Sequence, residues 1–266
     1  MRIATRFAAM AVALITGAVA LTSCSSDSSA GVVRVAAASD LVFALPEIQE
    51  LVREEYPEID MRISYGSSGQ FLQQISNGAP FDLYLSADVE YTRVLIAEGF
   101  AREDSAFVYA FGRLAVWTTR TDLAAGSDNT ISIATLADPS ISTVAIANPR
   151  HAPYGRAAVS ALESAGILEI VEPRLVLGEN VAQAAEFVST GAADAGIVAL
   201  SLLYSGQLSG KGTWSAVPVD EHDLIEQGGV VLTSATDVEA AQRVAEVLQS
   251  EAGKNILRSY GFYEED

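Results

Sequence analysis

One stretch of the sequence decides how the rest of the chain is interpreted: Arg62-Ile63-Ser64-Tyr65-Gly66-Ser67-Ser68-Gly69-Gln70-Phe71-Leu72-Gln73-Gln74-Ile75. Its first residues alternate as in a strand, Gly66 breaks the pattern, and Phe71, Leu72 and Ile75 recur at helical spacing. The stretch therefore predicts a strand followed directly by a helix, with two serines between glycines at the junction. Glycines let a ligand approach the backbone, and the first-turn N–H groups of a helix have no acceptor within the helix.

Two interpretations of Ser67 and Ser68 are open at this point. Hydroxyls and a helix N-terminus together form an anion site that needs no formal positive charge. Alternatively, one of the two serines only caps the helix. The anion site becomes the better interpretation because the chain repeats the same arrangement at other junctions.

Composition excludes nucleic acid as a partner. The chain has 266 residues, 50% of them hydrophobic, and a formal net charge of −18. That length allows one large or two modest cores. An acidic surface with no basic patch repels phosphates. A small anion can still bind, because local donors decide binding at contact and salt screens the distant field.

Motifs for metal and cofactor chemistry are missing from the sequence. The single cysteine, Cys24, excludes an intrachain disulfide, and His151 and His222 have no partner at metal-ligand spacing. The sequence contains no zinc motif, no Gly-x-Ser-x-Gly elbow, no Walker loop and no dinucleotide fingerprint. We therefore expect neither a cofactor nor a direct protein–metal ligand.

Residues 1–23 are predicted to be an export signal. Arg2 and Arg6 precede the apolar run Phe7–Leu21, in the order that a signal peptide requires. The alternative is a transmembrane anchor that contains an ordinary thiol. The signal is favoured because the run is short for a membrane span.

The end of the apolar run carries a second signal. The segment Leu21-Thr22-Ser23-Cys24 resembles the lipobox of bacterial lipoproteins. This resemblance implies cleavage before Cys24 and attachment of lipid to that cysteine. Residues 24–31 are rich in serine and are predicted to be a flexible tether.

Strands and helices alternate along the rest of the chain, which predicts a doubly wound α/β fold with mostly parallel sheets and helices on both faces. The β-rich run Phe107–Thr119, interrupted at Gly112, suits a crossing between two lobes. A later strand, Gly229–Ser234, is predicted to cross back. We expect the first lobe to contain residues 32–112 and 229–266, the second lobe residues 113–228, and a cleft to lie between them.

Four strand-to-helix junctions carry small, neutral or open-backbone residues. They are Ser39, Ser67-Ser68, Pro153-Tyr154-Gly155 and Glu179-Asn180-Val181. In doubly wound sheets, ligands bind outside the carboxyl ends of the strands. Two junctions fall in each predicted lobe, so four helix N-termini converge if the lobes face each other. Such a site suits a compact oxyanion, provided that the acidic Glu179 points away from it.

The residues at these junctions resemble the molybdate-binding protein of the molybdate ABC importer, over essentially the whole chain after the tether. The motifs that carry the resemblance are Ala36-Ala37-Ala38-Ser39, Gly66-Ser67-Ser68-Gly69, Gly78-Ala79-Pro80-Phe81-Asp82-Leu83-Tyr84-Leu85-Ser86-Ala87-Asp88, Asn148-Pro149, Ala152-Pro153-Tyr154-Gly155, Gly178-Glu179-Asn180-Val181, Gly196-Ile197-Val198-Ala199-Leu200-Ser201 and Arg258-Ser259-Tyr260-Gly261-Phe262. Their order and spacing together make the resemblance specific.

The resemblance implies a two-lobed periplasmic-binding-protein fold of type II that closes on its ligand. By the family pattern, Ser39 and Ser68 give hydroxyl and amide donors from the first lobe. Tyr154 and Val181 give backbone N–H donors from the second lobe. The ligand is the molybdate oxyanion, held through its oxygens.

Three further positions complete the site that the resemblance implies. Ser67 and Asn180 are additional candidates for ligand contacts. Some members of the family add a tyrosine hydroxyl after the Gly-Ile-Val strand, but this chain has Ala199 there. We expect Tyr154 to contribute its backbone rather than its phenol, because its side chain sits at a helix start.

The function implied by the resemblance is that of an extracytoplasmic, lipid-anchored solute-binding protein. Such a monomer captures molybdate, and also tungstate, and delivers it to the ABC permease in the membrane without catalysing a reaction. A receptor for sulfate or another tetrahedral oxyanion is the alternative with the same fold. A secreted hydrolase needs a nucleophile beside a base, and the two histidines lie in loops with no evident serine–acid geometry. A cell-surface adhesion module is disfavoured by the α/β pattern.

Overall fold

The computed structural model describes residues 31–123 and 130–264. The predicted signal peptide, the lipidation site Cys24 and nearly all of the predicted tether lie outside these residues. In the described ranges the chain forms ten strands: β1 Gly31–Ala38, β2 Ile59–Gly66, β3 Leu83–Ser86, β4 Phe107–Gly112, β5 Leu114–Thr118, β6 Val144–Ala147, β7 Leu175–Gly178, β8 Ala195–Ala199, β9 Thr213–Ala216 and β10 Ile225–Val231.

Nine α-helices connect or cover these strands in the same ranges. They are α1 Ala44–Glu55, α2 Ser68–Ser76, α3 Val89–Ala97, α4 Pro153–Ser164, α5 Leu168–Val171, α6 Val181–Ser189, α7 Leu200–Leu203, α8 Val238–Gln249 and α9 Glu251–Ser259. A short 3-10 turn, Ser39–Leu41, follows β1 directly.

The strands form two five-stranded sheets, one for each lobe. The first has the order β2-β1-β3-β10-β4, and the second has the order β7-β6-β8-β5-β9. This arrangement confirms the predicted two-lobed α/β fold. Each sheet contains two parallel and two antiparallel pairings, so the sheets are mixed rather than mostly parallel. The antiparallel pairings all involve β5 or β10, the strands that follow the crossings between lobes.

The first crossing between the two sheets lies between β4 and β5. β4 ends at Gly112 in the first sheet, and β5 begins at Leu114 in the second sheet. The returning strand starts at Ile225 rather than at the predicted Gly229. Ile225 pairs with Gly112 across the sheet. The sequence places the start too late because two adjacent glycines in a strand interior look like a strand boundary.

Each lobe has its own apolar core. The second sheet and its helices enclose a single cluster around Leu114, Val116 and Trp117, all almost fully buried. The first sheet separates two clusters, one beneath α1, α8 and α9 and one beneath α2 and α3. α1 buries Leu45, Ile48 and Val52 along one side, which is the spacing of an amphipathic helix.

Side-chain caps or a proline fix the starts of three helices. Asp88 caps α3 by accepting from Glu90 N, and Asp237 caps α8 by accepting from Ala240 N. Pro153 begins α4, a position that suits proline because it needs no N–H donor there. None of the helices in the described ranges is long and apolar enough to cross a bilayer.

Candidate functional site

The four predicted junctions meet at one small cavity between the lobes. The space open to the centre of a water-sized sphere is about 10 Å³, about the minimum for one such sphere. The residues around it come from both lobes: Ala38, Ser39, Asp40, Gly66, Ser67, Ser68, Ala87, Ala152, Pro153, Tyr154, Asn180 and Val181. All six residues proposed from the sequence lie among them.

Ser68 is the first residue of α2 and is 1% exposed. Its Oγ accepts a hydrogen bond from Ala87 N at 2.9 Å, and its carbonyl oxygen accepts from Tyr84 OH at 2.8 Å. The hydroxyl proton of Ser68 is therefore free to be donated. Neither Ser67 nor Ser68 caps α2 with its side chain, so the capping interpretation is wrong.

Ser67 connects the two lobes. Its Oγ donates to His151 O at 2.6 Å and lies 2.9 Å from His151 Nδ1. Since the hydroxyl proton goes to the carbonyl oxygen, the imidazole Nδ1 is the donor in the second contact. Ser67 thus holds the closed arrangement, and its own proton is already committed.

Ser39 lies against the other lobe as well. Its Oγ is 3.4 Å from Ala182 N in the first turn of α6, at the long end of hydrogen-bond distances. In this contact Ser39 is the acceptor. Its hydroxyl proton, like that of Ser68, remains available to a ligand in the cavity.

The second lobe presents the N-termini of α4 and α6. Tyr154 and Val181 occupy the first turns of these helices, where N–H groups have no acceptor within the helix. The Tyr154 phenol donates to Asp40 Oδ2 at 2.9 Å, which leaves the backbone N–H of Tyr154 as the group that can face a ligand. Asn180 is the cap of α6, because its side chain accepts from Gln183 N at 3.1 Å.

The cavity offers donors without a cation. None of the described residues that line it is a lysine or an arginine. Hydroxyls and helix N-termini are therefore the groups that can stabilise negative charge there. Glu179 does not line the cavity; its side chain is 63% exposed and accepts from Gln70 Nε2 at 2.7 Å. Glu179 therefore points away from the cavity, as an oxyanion site requires.

A buried polar network lies beside the cavity. Asp40 Oδ2 accepts from Tyr154 OH and, at 2.6 Å, from Gln227 Nε2. Gln227 Oε1 in turn accepts from Tyr109 OH at 2.8 Å. Burial raises the pKa of Asp40 to about 6, although its hydrogen bonds to Gln227 and Tyr154 act in the opposite direction. Burial also holds the pKa of both Tyr109 and Tyr154 well above the usual value.

Sequence reasoning missed this network. Asp40 directly follows Ser39 in the same junction. The search for small, neutral residues at junctions selects only the serine. Gln227 is the one amide side chain in β10, where it follows Glu226 and precedes Gly228-Gly229-Val230-Val231. A fully buried polar residue needs a partner, so an isolated glutamine in a buried strand was the signal that could have found it.

Several contacts join the lobes around the cavity. Gly69 N donates to His151 O at 2.9 Å, and Ser201 Oγ donates to Asp40 O at 2.9 Å. Arg156 forms an ion pair with Asp88 and donates to Tyr91 OH at 2.8 Å. The lobes are therefore closed against each other.

The expectation that neither histidine lies beside a serine and an acid is wrong for His151. Ser67, His151 and Glu179 do come together, with His151 Nε2 3.7 Å from Glu179 Oε2. The sequence could not show this, because the three residues lie in separate junctions that meet only when the lobes close. His222 lies elsewhere, with Nδ1 2.7 Å from Asp223 O.

Other features of the described structure suit an anion less well. A groove of about 730 Å³ lies between α1 and α6, but its lining is mainly apolar and includes Glu47 and Glu186. Within residues 31–123 and 130–264, no group of three or more His, Cys, Asp or Glu side chains could hold a metal ion.

Comparison with known proteins defines the class. A structure of a periplasmic molybdate-binding protein from Azotobacter vinelandii superposes with a TM-score of 0.79 at 29% identity, over 88% of this chain and 100% of that one. The molybdate-binding protein ModA of A. vinelandii is 38% identical over 75% of this chain and 77% of its own length. ModA of Rhodobacter capsulatus is 35% identical over 89% of this chain and 90% of its own. The fold and the cleft are thus those of a two-lobed solute-binding protein.

The family follows from the sequence itself. The model of the bacterial extracellular solute-binding proteins matches residues 33–263, which span both lobes. The chain belongs to this family and is related to its molybdate-binding members.

Gly69 provides a test of closure at this site. A Cβ at Gly69 would lie 2.5 Å from His151 O across the cleft, too close for the closed contact. We expect Gly69→Ala to weaken ligand binding roughly 5- to 150-fold, the equivalent of an overpacking penalty of about 1–3 kcal/mol. Alanine favours the helix by up to about 1 kcal/mol, so the ligand-free protein should unfold no more easily. Calorimetric titration and thermal unfolding measure the two effects.

Gly206→Ala is the matched control, because nothing lies within 4 Å of the added Cβ and its φ is not in the left-handed region. That variant should bind as the wild type does. Unchanged affinity in Gly69→Ala would show that this contact across the cleft is not needed for ligand binding.

Proposed function

We propose that this protein is an extracytoplasmic solute-binding lipoprotein that captures molybdate and delivers it to an ABC permease in the membrane. The observation that carries the proposal is the small cavity between the closed lobes, lined by hydroxyls and helix N-termini without a cation. The similarity to molybdate-binding proteins over most of the chain supports it.

The donor set fits a fully deprotonated tetrahedral oxyanion. Ser39 and Ser68 each have a hydroxyl proton to donate, and Tyr154 and Val181 have first-turn amides. These four residues are the proposed oxyanion ligands. Hydrogen bonds from neutral donors to an ionised acceptor are stronger than those between neutral groups, so a few of them can replace the anion's hydration.

Tungstate has the same charge and tetrahedral shape as molybdate and is proposed as a second ligand. Sulfate is the alternative oxyanion. Size is the property that distinguishes sulfate from molybdate and tungstate, because the three anions share the same charge and the same tetrahedral arrangement of acceptor oxygens. A closed cavity bounded by backbone on both sides can reject a misfit by leaving donors unpaired, which costs about 1–3 kcal/mol for each donor.

Catalysis is not part of the proposal. The Ser67 hydroxyl gives its proton to His151 O at 2.6 Å, and the imidazole donates to Ser67 Oγ. A general base must accept the proton of the nucleophile. In this arrangement the imidazole donates a proton to Ser67 Oγ instead, so it does not act as a base toward Ser67. Hydrolysis of generic esters or phosphoesters that disappears in Ser67→Ala would contradict this assignment.

Titration with oxyanions tests the function directly. We expect molybdate and tungstate to bind and to raise the melting temperature, with phosphate and sulfate much weaker. A ligand at about one hundred times its dissociation constant stabilises the native state by about 2.7 kcal/mol. Because the donors are buried and uncharged, affinity should change little between low and moderate salt. Binding of sulfate alone would favour the alternative, and a collapse of affinity with salt would indicate an exposed cationic site.

Ser68→Ala tests the donor assignment. A hydrogen bond to a charged partner contributes about 1.5–3 kcal/mol, so molybdate affinity should fall roughly ten- to a hundredfold in a calorimetric titration. The variant also leaves Ala87 N without its acceptor, so the ligand-free protein should lose about 1–3 kcal/mol of unfolding free energy.

Ser105→Ala separates these two effects. Ser105 Oγ also accepts one backbone N–H, from Val231 at 3.0 Å, and Ser105 does not line the cavity. This control should lose stability and keep its affinity. Equal affinities of Ser68→Ala and the wild type would remove Ser68 from the site.

The lipid anchor is proposed from residues 21–24 and has its own test. We expect the wild-type protein in a bacterial host to fractionate with membranes, and Cys24→Ser to be released in soluble form, because the thiol that carries the lipid is missing. Membrane association that survives Cys24→Ser would exclude a lipid at this position. Oxyanion binding by the released variant should equal that of the wild type.

A further inference from the structure

The Asp40 carboxyl group lies beside the cavity with one oxygen unused. Asp40 is 1% exposed and is one of the residues that line the cavity. Its Oδ2 accepts from Tyr154 OH and Gln227 Nε2. Its Oδ1 is buried and has no hydrogen-bond partner among the described residues. An unsatisfied carboxylate oxygen in such a place is costly, so its role requires an explanation.

We propose that Asp40 belongs to the oxyanion site as a neutral acid, with a proton on Oδ1 that it donates to the anion, so that one proton is taken up with each anion captured. The inference rests on the proposed function, because it requires an oxyanion in this cavity. Asp40 then acts as a further ligand residue beside Ser39 and Ser68. Its proton turns the one acidic group of the cavity into a donor.

Electrostatics favour the neutral acid. An ionised carboxylate next to a buried dianion is repelled strongly where the effective dielectric constant is low, and no ion pair joins Asp40 to a basic side chain in the described part of the chain. When two negative groups share one site, one of them takes a proton. The neutral acid removes the repulsion and adds a hydrogen bond.

The groups that face Asp40 do not supply a compensating charge. α4 presents Tyr154, β4 presents Tyr109, and β10 presents Gln227. Tyr109 and Tyr154 stay neutral because burial raises the pKa of each phenol. From α7, Ser201 contacts only the backbone oxygen, and α6 and β2 bring Val181 and Gly66 to the cavity. The charged side chains on these elements are exposed, partly exposed or paired elsewhere: Asp60, Arg62, Arg156, Glu163, Glu186 and Glu226.

The network also decides which oxygen carries the proton. Oδ2 already receives two donors, from Tyr154 and Gln227. Tyr109 OH donates to Gln227 Oε1 at 2.8 Å, which orients the amide with its nitrogen toward Asp40. Oδ2 is thus fixed as an acceptor. The proton is left for Oδ1, the oxygen without a partner.

The direction of the pH dependence follows from linkage. Burial raises the pKa of Asp40 to about 6 before any anion is considered, and a bound dianion raises it further because it favours the neutral acid. Binding is therefore fully favourable below the anion-free pKa. It weakens as pH rises from that value to the pKa of the complex, by up to about tenfold per pH unit for one proton.

Calorimetry in buffers of different ionisation enthalpy counts the proton. With the full chain and molybdate between pH 6 and 8.5, we expect a net uptake that approaches one proton per anion and an affinity that falls with rising pH. Asp40→Asn keeps a carbonyl oxygen for Tyr154 and Gln227 and replaces Oδ1–H by an amide donor. That variant should bind with no proton uptake and with an affinity that does not depend on pH.

Two further variants assign the proton. His151 is another group at the cleft that can exchange a proton, through its ring nitrogens, so proton uptake must survive His151→Gln. Glu179→Gln removes one negative charge at the rim of the cleft. Proton uptake should persist in this variant, which would show that the uptake does not arise from the net charge around the cleft. Uptake that persists in Asp40→Asn, or disappears in His151→Gln, would overturn the proposal.

The wild-type protein alone is also decisive, so the test does not depend on the folding of Asp40→Asn. Molybdate binding without proton uptake at any pH in this range would overturn the role of Asp40 and leave the proposed function intact. Absence of binding by molybdate, tungstate, sulfate and phosphate would overturn both.

Discussion

The site depends on closure of the two lobes at the contact between Gly69 and His151. Gly69 N donates to His151 O at 2.9 Å, and an added Cβ would lie 2.5 Å from the same oxygen. The close approach brings the first turn of α2 beside the loop that leads into α4. Each lobe supplies only two of the four junctions, so neither lobe alone surrounds a ligand. The binding energy of the ligand and the free energy of closure are thus coupled.

Binding of an anion by this acidic chain depends on the donors in contact with the anion rather than on the net charge of the chain. It carries a formal charge of −18 and is proposed to bind a dianion. Distant charges act through solvent and are screened over about 8–10 Å at physiological ionic strength. Donors in contact with the anion act in a desolvated space, where each hydrogen bond is electrostatically stronger than in water. A neutral donor set also keeps the site free of a cation, which would remain buried and unpaired when the ligand leaves.

The sequence predicts the fold and the location of the site better than it predicts how the site is built. Strand-to-helix junctions are local features, so spacing and family resemblance could select Ser68, Tyr154 and Val181 as candidates, and all three line the cavity. The partners of these residues are distant in sequence. Ser67 bonds to His151, 84 positions away, and the connection between Asp40 and Gln227 spans 187 positions. No local pattern encodes such contacts, which is why the cross-lobe network was missed.

Gly112 shows that the crossing between the lobes packs against the network beside the cavity. Gly112 ends β4 at the crossing between the sheets, and its φ is not in the left-handed region, so conformational freedom does not explain the glycine. A Cβ there would clash with Tyr154 OH and would lie 2.8 Å from Gln227 Nε2. Glycine is needed because these two groups, which hold Asp40 Oδ2, pack directly on the crossing segment. The packing around Asp40, which borders the cavity, therefore depends on the backbone of this crossing segment. The hydrogen bond from Tyr154 OH to Asp40 Oδ2 joins the two lobes, so the carboxyl group that borders the cavity also takes part in holding the lobes together.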